Sequence, residues 1–122
     1  MLPIIVKIFI GAIAAEHLYI LWFEMFDWEN RGKKIFKGKF TDEMFKATKG
    51  LAANQGLYNG FLAAGLIWSL LISNAEWQHN VAVFFLLCVA IAGIYGAATA
   101  SRKIFVVQAL PALITLVLVS LL

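Results

Sequence analysis

Residues 4–26 read IIVKIFIGAIAAEHLYILWFEMF, an apolar run interrupted only at Lys7, Glu16, His17 and Glu24. At about 1.5 Å of rise per residue, such a run crosses the ~30 Å hydrocarbon core of a bilayer as one helix. Three further apolar runs follow, at about 51–73, 81–98 and 104–122. The 122-residue chain is 62% hydrophobic and 14% charged, with a mean hydropathy of +0.85. A globular domain of this size has too little interior to hide that much apolar surface. Transmembrane β-strands would appear as short alternating segments of roughly ten residues, and these runs are long and continuous. Residues 1–122 are therefore expected to form a single transmembrane domain. The expected fold is all-α, an integral membrane four-helix bundle, because helices satisfy their own backbone hydrogen bonds in lipid.

The same composition argues against a nucleic-acid-binding domain, a disulfide-stapled secreted domain and a nucleotide-binding α/β enzyme. Cys88 is the single cysteine, so neither an intrachain disulfide nor a Cys-x-x-Cys motif exists. A cleaved signal peptide over the first fifteen residues, with small residues at Ala12 and Ala14, fits less well. The basic leading region is missing and the apolar run continues to Phe26.

Basic residues set the expected orientation, since short loops rich in lysine and arginine stay on the cytoplasmic side. The first loop carries Arg31, Lys33, Lys34, Lys37, Lys39, Lys46 and Lys49, and the third carries Arg102 and Lys103. The second loop, around 74–80, has Glu76 and His79 but neither lysine nor arginine. Both termini should face outward, with the first and third loops cytoplasmic, in a multi-pass protein of the plasma (inner) membrane. Lys7 runs against this count, and its flexible stem can snorkel to the outer interface. Within the first loop, Thr41 is expected to cap a short amphipathic helix led by Asp42 and Glu43, with Phe40 stapled against Phe45. Met44 and Phe45 would rest on the membrane. The loop's positive charge suits anionic lipid or a partner, although topology alone accounts for it.

Polar residues inside the runs point to a site. At about 100° per residue, Glu16, His17, Ile20, Glu24 and Asp27 share one arc of the first helix. Asn54, Gln55, Tyr58 and Asn59 gather on one side of the second. Counting rise from the cytoplasmic end brings Asn59 level with Glu16, and Asn54 and Gln55 level with Glu24. Tyr95 with Thr99, and Gln108 with Thr115, add polar groups on the third and fourth helices. The expected feature is a polar pocket opening toward the cytoplasm.

On the opposite side of the second helix, Gly56, Gly60 and Ala64 have the small-xxx-small spacing that lets backbones approach. That spacing serves either a dimer or packing against the small region of Gly93, Gly96, Ala97 and Ala100. Pro111 should bend the fourth helix or free the Val107 carbonyl. Trp22, Trp28, Trp68 and Trp77 include interface anchors without chemistry of their own.

Burial penalises the charged forms of both a carboxylate and an imidazolium, so Glu16 is read as the proton- or cation-exchanging group. Its sequence neighbour His17 does not face it squarely, and Glu24 lies about 10 Å along the helix from His17. Neither His-x-x-x-His nor Glu-x-x-His spacing is present among His17, Glu16 and Glu24, so no metal is expected. No cofactor is expected either.

The segments Ala15-Glu16-His17-Leu18-Tyr19, Phe23-Glu24-Met25-Phe26-Asp27-Trp28 and, above all, Asn54-Gln55-Gly56-Leu57-Tyr58-Asn59-Gly60 resemble the domain of unknown function 1304 family of small bacterial and fungal membrane proteins. The resemblance runs over essentially the whole chain. It implies four membrane helices and brings no established activity. The small multidrug-resistance transporters share the length, helix number and mid-helix glutamate. The long basic loop and the amide motif depart from them, so drug antiport is not carried over.

Three functional readings follow from these residues. The first is proton- or ion-linked binding or transport of a small molecule, with Glu16, His17, Glu24, Asn54, Gln55, Tyr58, Asn59, Tyr95 and Gln108 lining the pocket. A pore this small would need a homodimer. The second is an intramembrane acid–base enzyme, isomerase-like, acting on a lipid or apolar metabolite through His17 with Glu16 or Glu24. The third is a structural or interaction subunit working through its glycine face and basic loop. Expected partners are membrane lipids, a second copy and an unidentified small-molecule or ion ligand, with no nucleic acid.

Overall fold

The computed structural model describes residues 1–122 and is all-α, without strands. Six α-helices follow one another: α1 (Ile4–Phe26), α2 (Lys33–Ile35), α3 (Asp42–Ala47), α4 (Lys49–Leu71), α5 (Ala75–Thr99) and α6 (Leu110–Leu121). Two wide helical turns, Trp28–Gly32 and Phe105–Ala109, precede α2 and α6. Helices Ile4–Phe26 and Ala75–Thr99 are long and apolar enough to cross a membrane. The apolar helix Phe105–Leu121 is shorter, and Lys49–Leu71 carries the polar cluster of Asn54, Gln55, Tyr58 and Asn59.

The contacts divide the chain into two units, Met1–Ala15 with Leu62–Leu122, and Glu16–Phe61. The first unit holds the apolar core. Leu2, Val6, Ile10, Ile13 and Ala14 form a stripe at helical spacing, and they cluster with Leu66, Ala82, Leu86, Val89, Ala90, Ala112 and Val119. Its closest backbone approach is at Gly93, where a Cβ would sit 2.6 Å from the Ala109 nitrogen and 2.8 Å from its Cα. Gly93 therefore packs on Ala109, and the small-residue region of α5 is occupied by the wide turn before α6.

That wide turn is the structural answer to Pro111. The Leu110 N–H reaches back to the Phe105 carbonyl, one residue further than in an α-helix, and the ordinary helix resumes with proline in its first turn. The expected bend of the fourth run is thus a widened turn on the N-terminal side of the proline. Thr115 Oγ1 donates to the Pro111 carbonyl at 2.8 Å from a fully buried position.

The third run begins six residues before its hydropathy does. Asn74 caps α5 by accepting the Trp77 N–H at 3.0 Å, so residues 75–80, polar at Glu76, Gln78, His79 and Asn80, are its opening turns. Among them Gln78 is fully buried. Its Oε1 accepts the Leu2 N–H at 2.9 Å, and its Nε2 donates to the Ile72 carbonyl at 3.3 Å. One side chain thereby satisfies backbone groups near the start of α1 and the end of α4, where helices leave such groups without internal partners.

In the second unit, the stretch between α1 and α4 folds around a small aromatic core. Trp28 packs on Phe36 and Phe45 with ring centroids 5.8 and 5.2 Å away, and Phe40 meets Phe45 edge-on at 5.5 Å. The Thr41 hydroxyl accepts the Met44 N–H at 3.2 Å, which is the cap expected from the sequence. Two details differ from expectation. Phe45, at 2% exposure, is buried against Trp28 and Phe40, while Met44 stays exposed. Trp28 is a packing residue whose indole N–H donates to Thr48 Oγ1 at 3.1 Å. Gly32 lies under its ring, where a Cβ would come within 2.6 Å of Trp28 Cε3. The turn between α2 and α3 uses Gly38 at φ +82°, a backbone conformation that glycine adopts without steric cost.

Candidate functional site

The candidate site lies in the second unit, where α1 and α4 run side by side. Glu24, two residues before the end of α1, is 3% exposed. Both of its carboxylate oxygens are held by amides of α4. Gln55 Nε2 donates to Oε2 at 2.8 Å, and Asn59 Nδ2 donates to Oε1 at 2.7 Å. Residues four apart on a helix sit one above the other, so Gln55 and Asn59 present two parallel donors to the two oxygens of one carboxylate. Asn59 Nδ2 also contacts the Gln55 carbonyl at 3.2 Å, which fixes its side chain along the α4 surface.

The glycines explain why such short amides reach. A Cβ at Gly56 would lie 2.8 Å from Met25 Cγ, 3.0 Å from Glu24 Cβ and 3.2 Å from the Leu21 carbonyl oxygen. One at Gly60 would lie 2.5 Å from Leu21 Cδ1. Each glycine follows an amide in the sequence, giving Gln55-Gly56 and Asn59-Gly60. The glycine of each pair lets the backbones close up while the amide bridges to the acid. This corrects the expected geometry: Gly56 and Gly60 face α1 beside the polar groups, because neighbours on a helix are separated by only about 100°. Ala64 is exposed and Gly93 packs on Ala109.

The other expected residues divide by position. Glu16, two turns before Glu24 along α1, is half-buried, and its Oε1 is enclosed without a hydrogen-bond partner. Asn59 is therefore bonded to Glu24, rather than level with Glu16. His17 is fully buried. Asn54 and Tyr58 are exposed on α4, with Tyr58 edge-on to Phe61 at 5.6 Å between ring centroids. Tyr95, 70% exposed, and half-buried Gln108 belong to the first unit, and Glu24 to the second. Asp27 accepts Asn30 Nδ2 at 3.3 Å, while its carbonyl receives the N–H groups of Arg31 and Gly32. It serves the wide turn after α1. Gln78, which the sequence reading passed over, is a buried amide whose only sequence signal was its place one helical turn after the capping Asn74.

Chemically, a carboxylate that accepts one hydrogen bond on each oxygen keeps acceptor capacity on both. A proton or a cation can use that capacity without displacing the amides. The donors are amides, which hold the carboxylate in place and take no part in proton transfer themselves.

Comparison with known proteins gives the chain its relatives. Residues 11–120 match the model of the family described as "Protein of unknown function (DUF1304)". The chain is similar to the "Uncharacterized protein YpaA" of Lactococcus lactis subsp. lactis (strain IL1403), with 28% identity over 113 residues, 86% of this chain and 87% of that protein. No solved structure matches. With a family match that takes in α1 from its second turn through nearly all of α6, the chain belongs to the DUF1304 family.

Proposed function

We propose that the chain is a multi-pass membrane protein that binds a proton or small cation at Glu24 and moves it across the bilayer. The observation that carries the reading is a nearly inaccessible carboxylate, on a helix of membrane-spanning length, with each oxygen held by an amide. An acid at the centre of a spanning segment costs about 2.5–3.5 kcal/mol to insert and less toward its end, where Glu24 lies, and two amides would fasten the helices without any such cost. The expense is accounted for if the acid exchanges a proton or cation. Glu24 thus takes the role first expected of Glu16. Gln55 and Asn59 orient it, and exposed Asn54 and Tyr58 offer further polar contacts.

In this reading the long apolar helices cross the plasma membrane four times in all, with both termini outside and the basic first and third loops in the cytoplasm. Nine basic residues in those loops, against none in the second, support it. Acid–base isomerisation draws no support from the Glu24 contacts, since neither bonded partner titrates. A purely structural role is favoured by the close approach at Gly56 and predicts a different experimental result.

The test is proton entry into liposomes carrying the purified protein and an entrapped pH-sensitive dye, after acidification outside in sodium or potassium buffer. The wild type should acidify the lumen faster than empty liposomes, and Glu24→Gln should return the rate to that of empty liposomes while the protein stays folded. Equal rates for wild type and empty liposomes in both buffers would overturn the transport reading.

A further inference from the structure

The first loop is more ordered than topology requires. Retention of positive charge on one side of a membrane depends on the number of lysines and arginines near the span, and an unstructured loop would serve. Here the segment between α1 and α4 has its own aromatic core around Trp28 and Phe45, a capped helix and a glycine turn. Two lysines are paired locally, Lys33 with Asp42 at 3.5 Å and, at the start of α4, Lys49 with Glu29 at 3.6 Å. Lys34, Lys37, Lys39 and Lys46 are exposed and make no ion pair. Beside them, Phe40 is 38% and Met44 45% exposed. Gly38 places Lys37 and Lys39 on either side of a tight turn, immediately before Phe40.

We propose that this turn, with Lys34 and Lys46, is a docking surface for anionic phospholipid headgroups in the leaflet next to the loop. Charge complementarity carries the proposal: unpaired lysines are attracted to an anionic surface, and an adjacent aromatic and thioether can enter the headgroup boundary. Residues 34–46 of the folded loop thus carry four unpaired cations and two exposed apolar side chains within one short segment. The inference rests on the membrane-spanning part of the reading above and is independent of what Glu24 carries.

The experiment uses the full chain, extracted in detergent and exchanged into nanodiscs or mixed micelles containing phosphatidylglycerol and phosphatidylcholine in equal amounts. Lipid retained on the protein is counted by native mass spectrometry. The wild type should retain phosphatidylglycerol over phosphatidylcholine by at least about tenfold, the ratio that 1.4 kcal/mol gives. The quadruple replacement of Lys34, Lys37, Lys39 and Lys46 by glutamine should bring the ratio near unity. Arg31, Lys33, Lys49, Arg102 and Lys103 remain to hold topology, and unchanged Trp28 emission reports an intact loop. Met44→Ser gives a second arm outside the aromatic core, with a lowered ratio expected at full charge.

Equal retention by wild type, or a preference that survives the quadruple replacement, overturns the proposal. Loss of bound phosphatidylglycerol to millimolar inorganic phosphate also overturns it, in favour of a free-anion site. Recovery of the chain from cells without detergent would overturn the spanning reading and this inference together. Detergent-dependent extraction with no lipid preference overturns this inference alone.

Discussion

Asn59 donates to Glu24 across 2.7 Å, joining residues 35 positions apart, and Gln55 takes the other oxygen of the same carboxylate. The pair of bonds makes the identity of the acceptor testable. In Glu24→Gln, Asn59 can still donate to the remaining oxygen, and rotation of the Gln55 amide presents its own oxygen to the new NH2 group. Stability should change by less than about 1 kcal/mol. Glu24→Leu removes both acceptors, and a loss of about 1–3 kcal/mol is expected. Thermal unfolding in detergent micelles distinguishes the two, and equal losses would mean that the amides do not recognise the acceptor.

Close approaches of the helices rank the glycines. Gly93→Ala places a methyl against Ala109 backbone atoms, which cannot swing aside, and should cost about 1–3 kcal/mol. At Gly60 the obstacle is the end of the Leu21 side chain, so Gly60→Ala should cost less than Gly93→Ala. Gly11 and Gly50 face open space within 4 Å, and alanine there should be neutral or stabilising by about 0.4–1 kcal/mol. Melting temperatures of the four variants under one detergent condition check the order.

Phe45 is the buried centre of the first loop. Phe45→Ala removes a ring packed against Trp28 and Phe40 and should weaken the loop's local fold by about 3–5 kcal/mol. Amide exchange should accelerate across residues 28–48 and stay unchanged in Ala75–Thr99. Thr41→Ala should produce the same pattern with a smaller cost, about 0.5–2 kcal/mol.

Gln78→Leu keeps the volume near that of glutamine but leaves the Leu2 N–H and the Ile72 carbonyl without their partner. A loss of about 1–3 kcal/mol is expected. Gln78→Glu buries a carboxylate with one oxygen against the Ile72 carbonyl, so at neutral pH it should cost at least as much as leucine. A leucine variant as stable as wild type would show that solvent replaces both bonds.

The first helix was legible to its ends, because its apolar run coincides with its hydrogen-bonded length. The cap at Thr41 and the staple of Phe40 on Phe45 were also legible, since both are local in sequence. Residues 75–80 were not. Hydropathy marks apolar surface, and a polar first turn held by Asn74 has little of it. The sequence places Glu24 in one polar arc with Glu16, but it does not tell which of the two acids the amides of α4 hold. Counting rise from the ends of two runs fixes the slide of one helix past another only if the connection is simple, and residues 27–48 contain a folded structure of their own. The small-xxx-small spacing reads as a surface opposite the amides, whereas Gly56 and Gly60 meet α1 beside them. Adjacent helix positions can share one neighbour when glycine lets it come close.

The bond from Leu2 to Gln78 links positions 76 residues apart, so it sets an order on biogenesis. At roughly 5–20 residues per second, the ribosome needs about 4–15 s after making the first segment before the partner of its opening amide exists. Until then the beginning of the chain must wait with that N–H unlatched. Premature arrest of translation before residue 78 would release a product in which the Leu2 N–H lacks this partner.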